Sequence, residues 1–200
     1  HQPSSRPHPA GCCRSSTLVI WSNGGESAVA GQRRNSVRAQ SGGIEIIPVP
    51  PSDAAIAVTC YLASTLAYGS AVLIGPSFAL TAAHNLYDSG TKATSVNLKP
   101  GHPKPTDWER QSTAFVCHER YLQLVDPAYD IALVYFSTPF THTKRFPTFT
   151  YTDPPGAKIR IVGYPKPTAF DFGMYEHSTM MMAREKGRLV YSGQTKQGQS

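Results

Sequence analysis

Cysteine is scarce: the 200-residue chain holds four, too few for a disulfide framework to carry the fold. Cys12 and Cys13 are adjacent and cannot easily bridge each other. Cys60 and Cys117 lie in apolar runs, where they pair if those strands meet and are otherwise two buried free thiols. Charge is also thin. Of the formal +6, residues 1–43 hold five arginines against Glu26 alone, which leaves only +2 for the rest. The body therefore has no dense Lys/Arg patch of the kind phosphate binding needs, and nucleic-acid binding is not expected. The chain has no initiator Met and no charged-then-apolar signal at its start, so that start reads as a processed or partial end. It also lacks an amphipathic helix of several turns. Nothing implies a metal, a nucleotide cofactor or an obligate partner chain.

What is present is a series of short apolar runs. Residues 1–43 are rich in Ser, Gly, Arg and Pro, with only "TLVIW" (17–21) apolar, and read as a flexible leader. From Ala54 to Ile74 there is no charged residue, which raises the reading of a membrane-anchored structural protein. Thr59, Ser64, Thr65, Gly69 and Ser70 interrupt that run, so two buried strands, "IAVTCYL" and "GSAVLIG", fit better. "FALTAA" (78–83), "TAFVCH" (113–118), "DIALVYF" (130–136), "KIRIVGYP" (158–165) and "RLVYS" (188–192) follow. All are β-branched or aromatic and bounded by Gly, Pro or Asp. Such spacing predicts an all-β sandwich or barrel. The segment "KPGHPKPTDW" (99–108) is expected to interrupt it as an exposed loop.

Three residues stand in settings that suit acyl transfer, which needs a nucleophile, a base and a carboxylate to hold the base. His84 ends "GPSFALTAAH", where Ala82 and Ala83 let a turn pack closely and hold an imidazole at a barrel rim. A histidine after an apolar strand is, alone, more often structural. Asp130 opens "YDIALVYF" at the edge of a core, where a carboxylate must find a donor. A strand-start Asp that accepts backbone N–H groups is the plainer reading. Ser200 ends "GQS", where Gly198 permits a tight turn, and alone it would be a tail serine.

Taken together in chain order, His84, Asp130 and Ser200 run His…Asp…Ser, the order found in chymotrypsin. "GSAVLIGPSFALTAAHNLYD" resembles the histidine motif of chymotrypsin-like serine peptidases, "YDIALVYF" their aspartate motif, and "GQS" the start of their Gly-x-Ser-Gly motif. "IRIVGYP", "MYEHS" and "KGRLVYSG" follow one another as strands do in the glutamyl-endopeptidase branch. The resemblance covers roughly Ile44 to Ser200. Asn85 stands where many animal trypsins have a disulfide-bonded Cys.

The resemblance implies an all-β chymotrypsin-like fold of two antiparallel β-barrels. Residues 44–140 would form the first barrel and 141–200 a partial second barrel, incomplete at the nucleophile. It implies Ser200 as nucleophile, His84 as general base and acid, and Asp130 as orienting carboxylate. The N–H groups of Gly198 and Ser200 would form the oxyanion hole. Thr195 falls where this branch places a hydroxyl at the floor of the specificity pocket, a site for an acidic P1 side chain. The implied protein is a secreted, monomeric endopeptidase acting on peptides or proteins without cofactor, metal, nucleic acid or membrane. Ile44, after "SGG", is one possible mature N-terminus, and Arg33-Arg34 a possible processing site. A terminal α-carboxylate at Ser200 would oppose the oxyanion, so the 200-residue chain is expected to be poorly active or inactive. The alternative reading is a non-catalytic secreted binding or decoy homologue on the same fold. Gly, a small residue and Pro after Ser200 in the reading frame would favour the enzyme, and a natural stop the decoy.

Overall fold

Burial with a period of two fixes the strands. In Val96–Pro100 every second residue is buried, the mark of a strand with one face on a core. Thr59–Ser64 and Tyr68–Gly75 carry longer buried runs, the mark of strands covered on both faces. The computed structural model describes residues 20–21, 47–49, 53–101, 108–147, 156, 158–164, 173–185 and 188–191. In chain order the strands are β1 (Ile20–Trp21), β2 (Ile47–Pro48), β3 (Thr59–Ser64), β4 (Tyr68–Gly75), β5 (Phe78–Thr81), β6 (Tyr87–Asp88) and β7 (Thr91–Lys92). They continue as β8 (Val96–Pro100), β9 (Arg110–Ser112), β10 (Ala114–Cys117), β11 (Ala132–Tyr135), β12 (Lys158–Gly163), β13 (Tyr175–Glu185) and β14 (Arg188–Tyr191). One short helix, α1, spans Glu119–Leu124.

Seven strands form an antiparallel sheet in the order β10-β11-β5-β4-β3-β8-β9. Its two edge strands, β9 and β10, are separated in sequence by Thr113 alone. The sheet must therefore roll until its edges nearly meet. Ser112 ties that seam, its hydroxyl donating to the Tyr135 carbonyl at 2.5 Å and accepting from the Ala114 N–H at 2.9 Å. Inside the roll, Leu62, Leu73, Leu98, Val134 and Phe136 are almost wholly buried. Each such side chain contributes about 1.5–3 kcal/mol of transfer free energy.

The second sheet is built on the long strand β13. β12 runs along one of its edges, while β2 and then β14 run along the other. β1 pairs with the outer edge of β12, Ile20 opposite Ile161. Among the described residues this sheet does not close on itself. It packs on the outer face of the rolled sheet, where Tyr61 meets Tyr164 edge-to-face at 5.7 Å, with Val162 and Met174 beside them. Arg160 on β12 fastens the contact. It donates from Nη2 to Asp53 at 2.7 Å and from Nε to Glu176 at 2.6 Å. Burial works against the Arg160 charge, but its hydrogen bonds to Asp53 and Glu176 outweigh it and raise its pKa.

Several sequence expectations change. Ile56 and Ala57 lie not in a strand but in a 3-10 turn, Ala54–Ala57, because the Asp53 carboxylate caps it by accepting the Ala55 N–H at 2.8 Å. Lys99 and Pro100 belong to β8, paired with Tyr61 and Cys60. The proline sits at the strand end, where its missing N–H costs little. The uncharged run 54–74 forms that turn and two strands, and no helix among the described residues is long and apolar enough to cross a membrane. Cys60 and Cys117 are unpaired. They stand in one lateral row, Cys60–Ala71–Thr81–Ala132–Cys117. Four strand spacings of about 4.8 Å separate them along the sheet, and a disulfide needs Cα atoms within about 7 Å.

Burial pushes the Cys60 thiol well above its ordinary pKa. Cys117 is raised as well, by burial, with Lys92 opposing and Asp130 reinforcing. With Cys12 and Cys13 changed to Ser, we expect no reaction of the folded chain with a thiol reagent at pH 8. Two equivalents should appear on denaturation, and fast labelling of the native chain would refute this packing. Replacing Arg160 by Met should lower stability to urea by ~2 kcal/mol, because two partly buried carboxylates lose their donor. An unchanged unfolding midpoint would show that Arg160 does not fasten the sheets.

Candidate active site

Sheet register brings the site together. β5 and β11 are antiparallel neighbours, with Thr81 opposite Ala132. The residues just after β5 and just before β11 therefore emerge at the same end of the sheet. His84 is three residues past Thr81, and Asp130 two before Ala132.

After β5 the chain enters a tight turn through Ala82 and Ala83, both with no exposed surface. Ala83–Asn85 form one 3-10 turn, closed by the Asn85 N–H on Ala82 O (3.2 Å) and the Leu86 N–H on Ala83 O (2.9 Å). Larger side chains at 82 and 83 would have no room, so the small residues permit the turn. His84 lies at the rim, its side chain 14% exposed. Asn85 points the other way and is 1% exposed.

Asp130 arrives by a different route. α1 ends at Val125, which takes the left-handed region at φ 52°. That conformation is costly for a β-branched residue, and the Val125 N–H donates to Tyr121 O at 2.9 Å within it. Asp126 then caps the short turn Pro127–Tyr129, accepting the Ala128 N–H at 3.0 Å. This sets Asp130 directly before β11.

The two residues meet at two points. Asp130 Oδ1 accepts the His84 backbone N–H at 2.9 Å, and Oδ2 lies 2.6 Å from His84 Nδ1. An ionised carboxylate only accepts, so in the neutral ring the proton sits on Nδ1 and the lone pair on Nε2. A base is thus held in one tautomer by a carboxylate that is itself 9% exposed. Chemically, such a pair can take a proton at Nε2 and stabilise the resulting imidazolium. The other predicted site residues, Thr195, Gly198 and Ser200, lie outside the described residues. No group of three or more His, Cys, Asp or Glu gathers as a metal site among the described residues.

The Trypsin family profile matches residues 49–199. The chain belongs to the trypsin family. By that membership it is a serine-type hydrolase, a trypsin-like serine protease. Solved structures similar to this trypsin-family chain include a Glu endopeptidase in complex with MPD. It is 20% identical with a TM-score of 0.68, and the match covers 76% of this chain and 75% of that one. The protease Anisep from Arthrobacter nicotinovorans is 16% identical with a TM-score of 0.55, over 66% of this chain and 68% of that one. At such identities the likeness is one of fold, and that fold is the all-β chymotrypsin-like architecture expected from the sequence. No curated protein matches in sequence.

Reading the sequence missed the groups beneath the histidine. Thr81 donates to Ser70 O at 2.8 Å and accepts from Asn85 Nδ2 at 3.0 Å. Ser64 Oγ donates to Asn85 O at 2.6 Å. The signal was a hydroxyl in each of three otherwise apolar strand runs. Changing Asp130 to Ala removes the acceptor of both His84 groups, and urea unfolding should show a loss of about 1–3 kcal/mol. Wild-type stability in that variant would mean that the two-point contact does not hold the turn.

Proposed function

We propose that this trypsin-family protein is an endopeptidase that works through His84, Asp130 and Ser200. The observation that supports it most is the two-point contact of Asp130 with His84, which leaves the Nε2 lone pair at the rim. In this reading Ser200 Oγ attacks the scissile carbonyl while its proton passes to His84 Nε2. The oxyanion that forms is received by the N–H groups of Gly198 and Ser200. As the C–N bond breaks, His84 returns the proton to the leaving amine, and an acyl-enzyme remains. Water activated by the same nitrogen then hydrolyses the ester. Asp130 stays ionised throughout and stabilises the imidazolium.

The first barrel, 44–140, supplies His84 and Asp130 in this proposal, and the segment 141–200 supplies the nucleophile across the cleft. Ile47–Pro48 pairs with β13, so the chain entering the first barrel also braces the second sheet. Thr195 is proposed to donate its hydroxyl to an acidic P1 side chain. The likeness to a Glu endopeptidase supports that preference. A secreted monomer acting on peptides or proteins fits the family.

Expressed from its full reading frame, the protein should cleave a peptide after Glu in preference to Lys or Phe. Ser200→Ala and His84→Ala should each lower kcat by about 10⁶-fold, and Asp130→Asn by about 10⁴-fold. Thr195→Val should reduce the preference for Glu with less effect on kcat. Activity that survives Ser200→Ala within a factor of ten would overturn the assignment.

A further inference from the structure

We propose that Asn85 is a positioning residue for His84, and that it works through two hydrogen bonds made beneath the histidine turn. The proposal builds on the reading of His84 as the base, because it concerns what holds that base in place. Asn85 is the residue next to His84 in the turn, and it is buried while His84 reaches the rim. Its carbonyl accepts Ser64 Oγ at 2.6 Å, and its Nδ2 donates to Thr81 Oγ1 at 3.0 Å. One bond fixes the peptide that leaves Asn85, one residue past the histidine, and the other fixes the turn against the strand that leads into it. The His84 N–H and Nδ1 can both meet Asp130 only if the backbone of residue 84 keeps this orientation.

The chemistry of the site selects an amide. A threonine hydroxyl has one hydrogen, and that of Thr81 goes to Ser70 O at 2.8 Å. Towards residue 85 Thr81 therefore presents lone pairs and needs a donor. Asparagine supplies one from Nδ2, whereas an aspartate of the same shape would set a carboxylate oxygen against those lone pairs in a buried site. Ser64 is equally committed. Its Oγ lies 2.6 Å from Asn85 O and 3.2 Å from Ala67 O and gives its one hydrogen to the nearer, Asn85 O, while accepting the N–H groups of Leu66 (3.1 Å) and Ala67 (2.9 Å). The β3–β4 turn is thereby tied to the histidine turn. The network reaches the second sheet too, since Ser70 Oγ accepts the Tyr164 N–H at 2.8 Å.

The test reads the histidine itself. In the 200-residue chain labelled with 15N-histidine, the His84 ring nitrogens should report the neutral tautomer protonated at Nδ1. In Asn85→Ala and Asn85→Asp that single tautomer should be lost to a mixture of both. Ser64→Ala breaks the bond to the Asn85 carbonyl, together with the Leu66 and Ala67 N–H bonds of the β3–β4 turn, but leaves the Asn85 side chain on Thr81. It should cause a smaller shift in the same direction, so it serves if the Asn85 variants do not fold. Thermal unfolding is followed in parallel. Variants that lose stability while His84 keeps the Nδ1-protonated tautomer would overturn the proposal and leave Asn85 a purely structural residue. The readout needs no turnover. If catalysis instead proved independent of His84, the reading of the base would fail while the tautomer measurement still decided the role of Asn85.

Discussion

Everything at the site depends on one carboxylate holding one residue twice. Asp130 takes the backbone N–H and the ring Nδ1 of His84 with its two oxygens. The ring contact decides which nitrogen carries the proton, and the backbone contact decides where the ring stands. Neither can form unless β5 and β11 are neighbours in register, because 46 residues separate the pair in sequence. A slip of one residue would turn every side chain of β11 to the other face of the sheet. Phe136 and Val134 would leave the core, so the packing that stabilises the sheet also protects the site.

The rest of the molecule supports that register from two sides. Inside the rolled sheet, Leu62, Leu73, Leu98 and Val134 fill the core, and the seam at Ser112 keeps the edges together. Outside it, the second sheet covers the faces of β3 and β4. Tyr61 and Tyr164 pack there, and Arg160 binds two carboxylates from separate segments. The N–H of Tyr164, a residue of the outer-face packing, donates to Ser70 Oγ, and the Ser70 carbonyl accepts from Thr81. The histidine turn is therefore wedged between core, interface and aspartate loop rather than hung on a surface loop.

Much of this could be read from the chain. "GSAVLIG", "FALT", "ALVY" and "KIRIVG" are dense in β-branched or apolar residues and became strands β4, β5, β11 and β12. His84 and Asp130 stood out because each sits where such a strand meets a turn. Less visible was whatever depends on distant partners. β13 contains "HSTMMMARE", in which three methionines in succession hide the alternation of buried His177, Thr179 and Met181 with exposed Met180 and Met182. Pro100 masked the end of β8, since a proline reads as a loop until its neighbour β3 is known. The question of a Cys60–Cys117 bridge could not be decided without strand order. The ion pairs of Arg160 join residues 16 and 107 positions apart, and no local pattern marks them. Asn85 was noticed only as a position without cysteine, because its role lies in bonds to Thr81 and Ser64 that the fold supplies.

The account centres on His84 and Asp130 preparing a base for Ser200, and the most direct measurement is of where that serine lies. A crystal structure of the protein from its full reading frame gives the distance from Ser200 Oγ to His84 Nε2. The account predicts hydrogen-bond reach, about 3 Å, with the Asp130 contacts kept on the far side of the ring. A Ser200 hydroxyl far from Nε2, with the ring bonded to some other group, would contradict it.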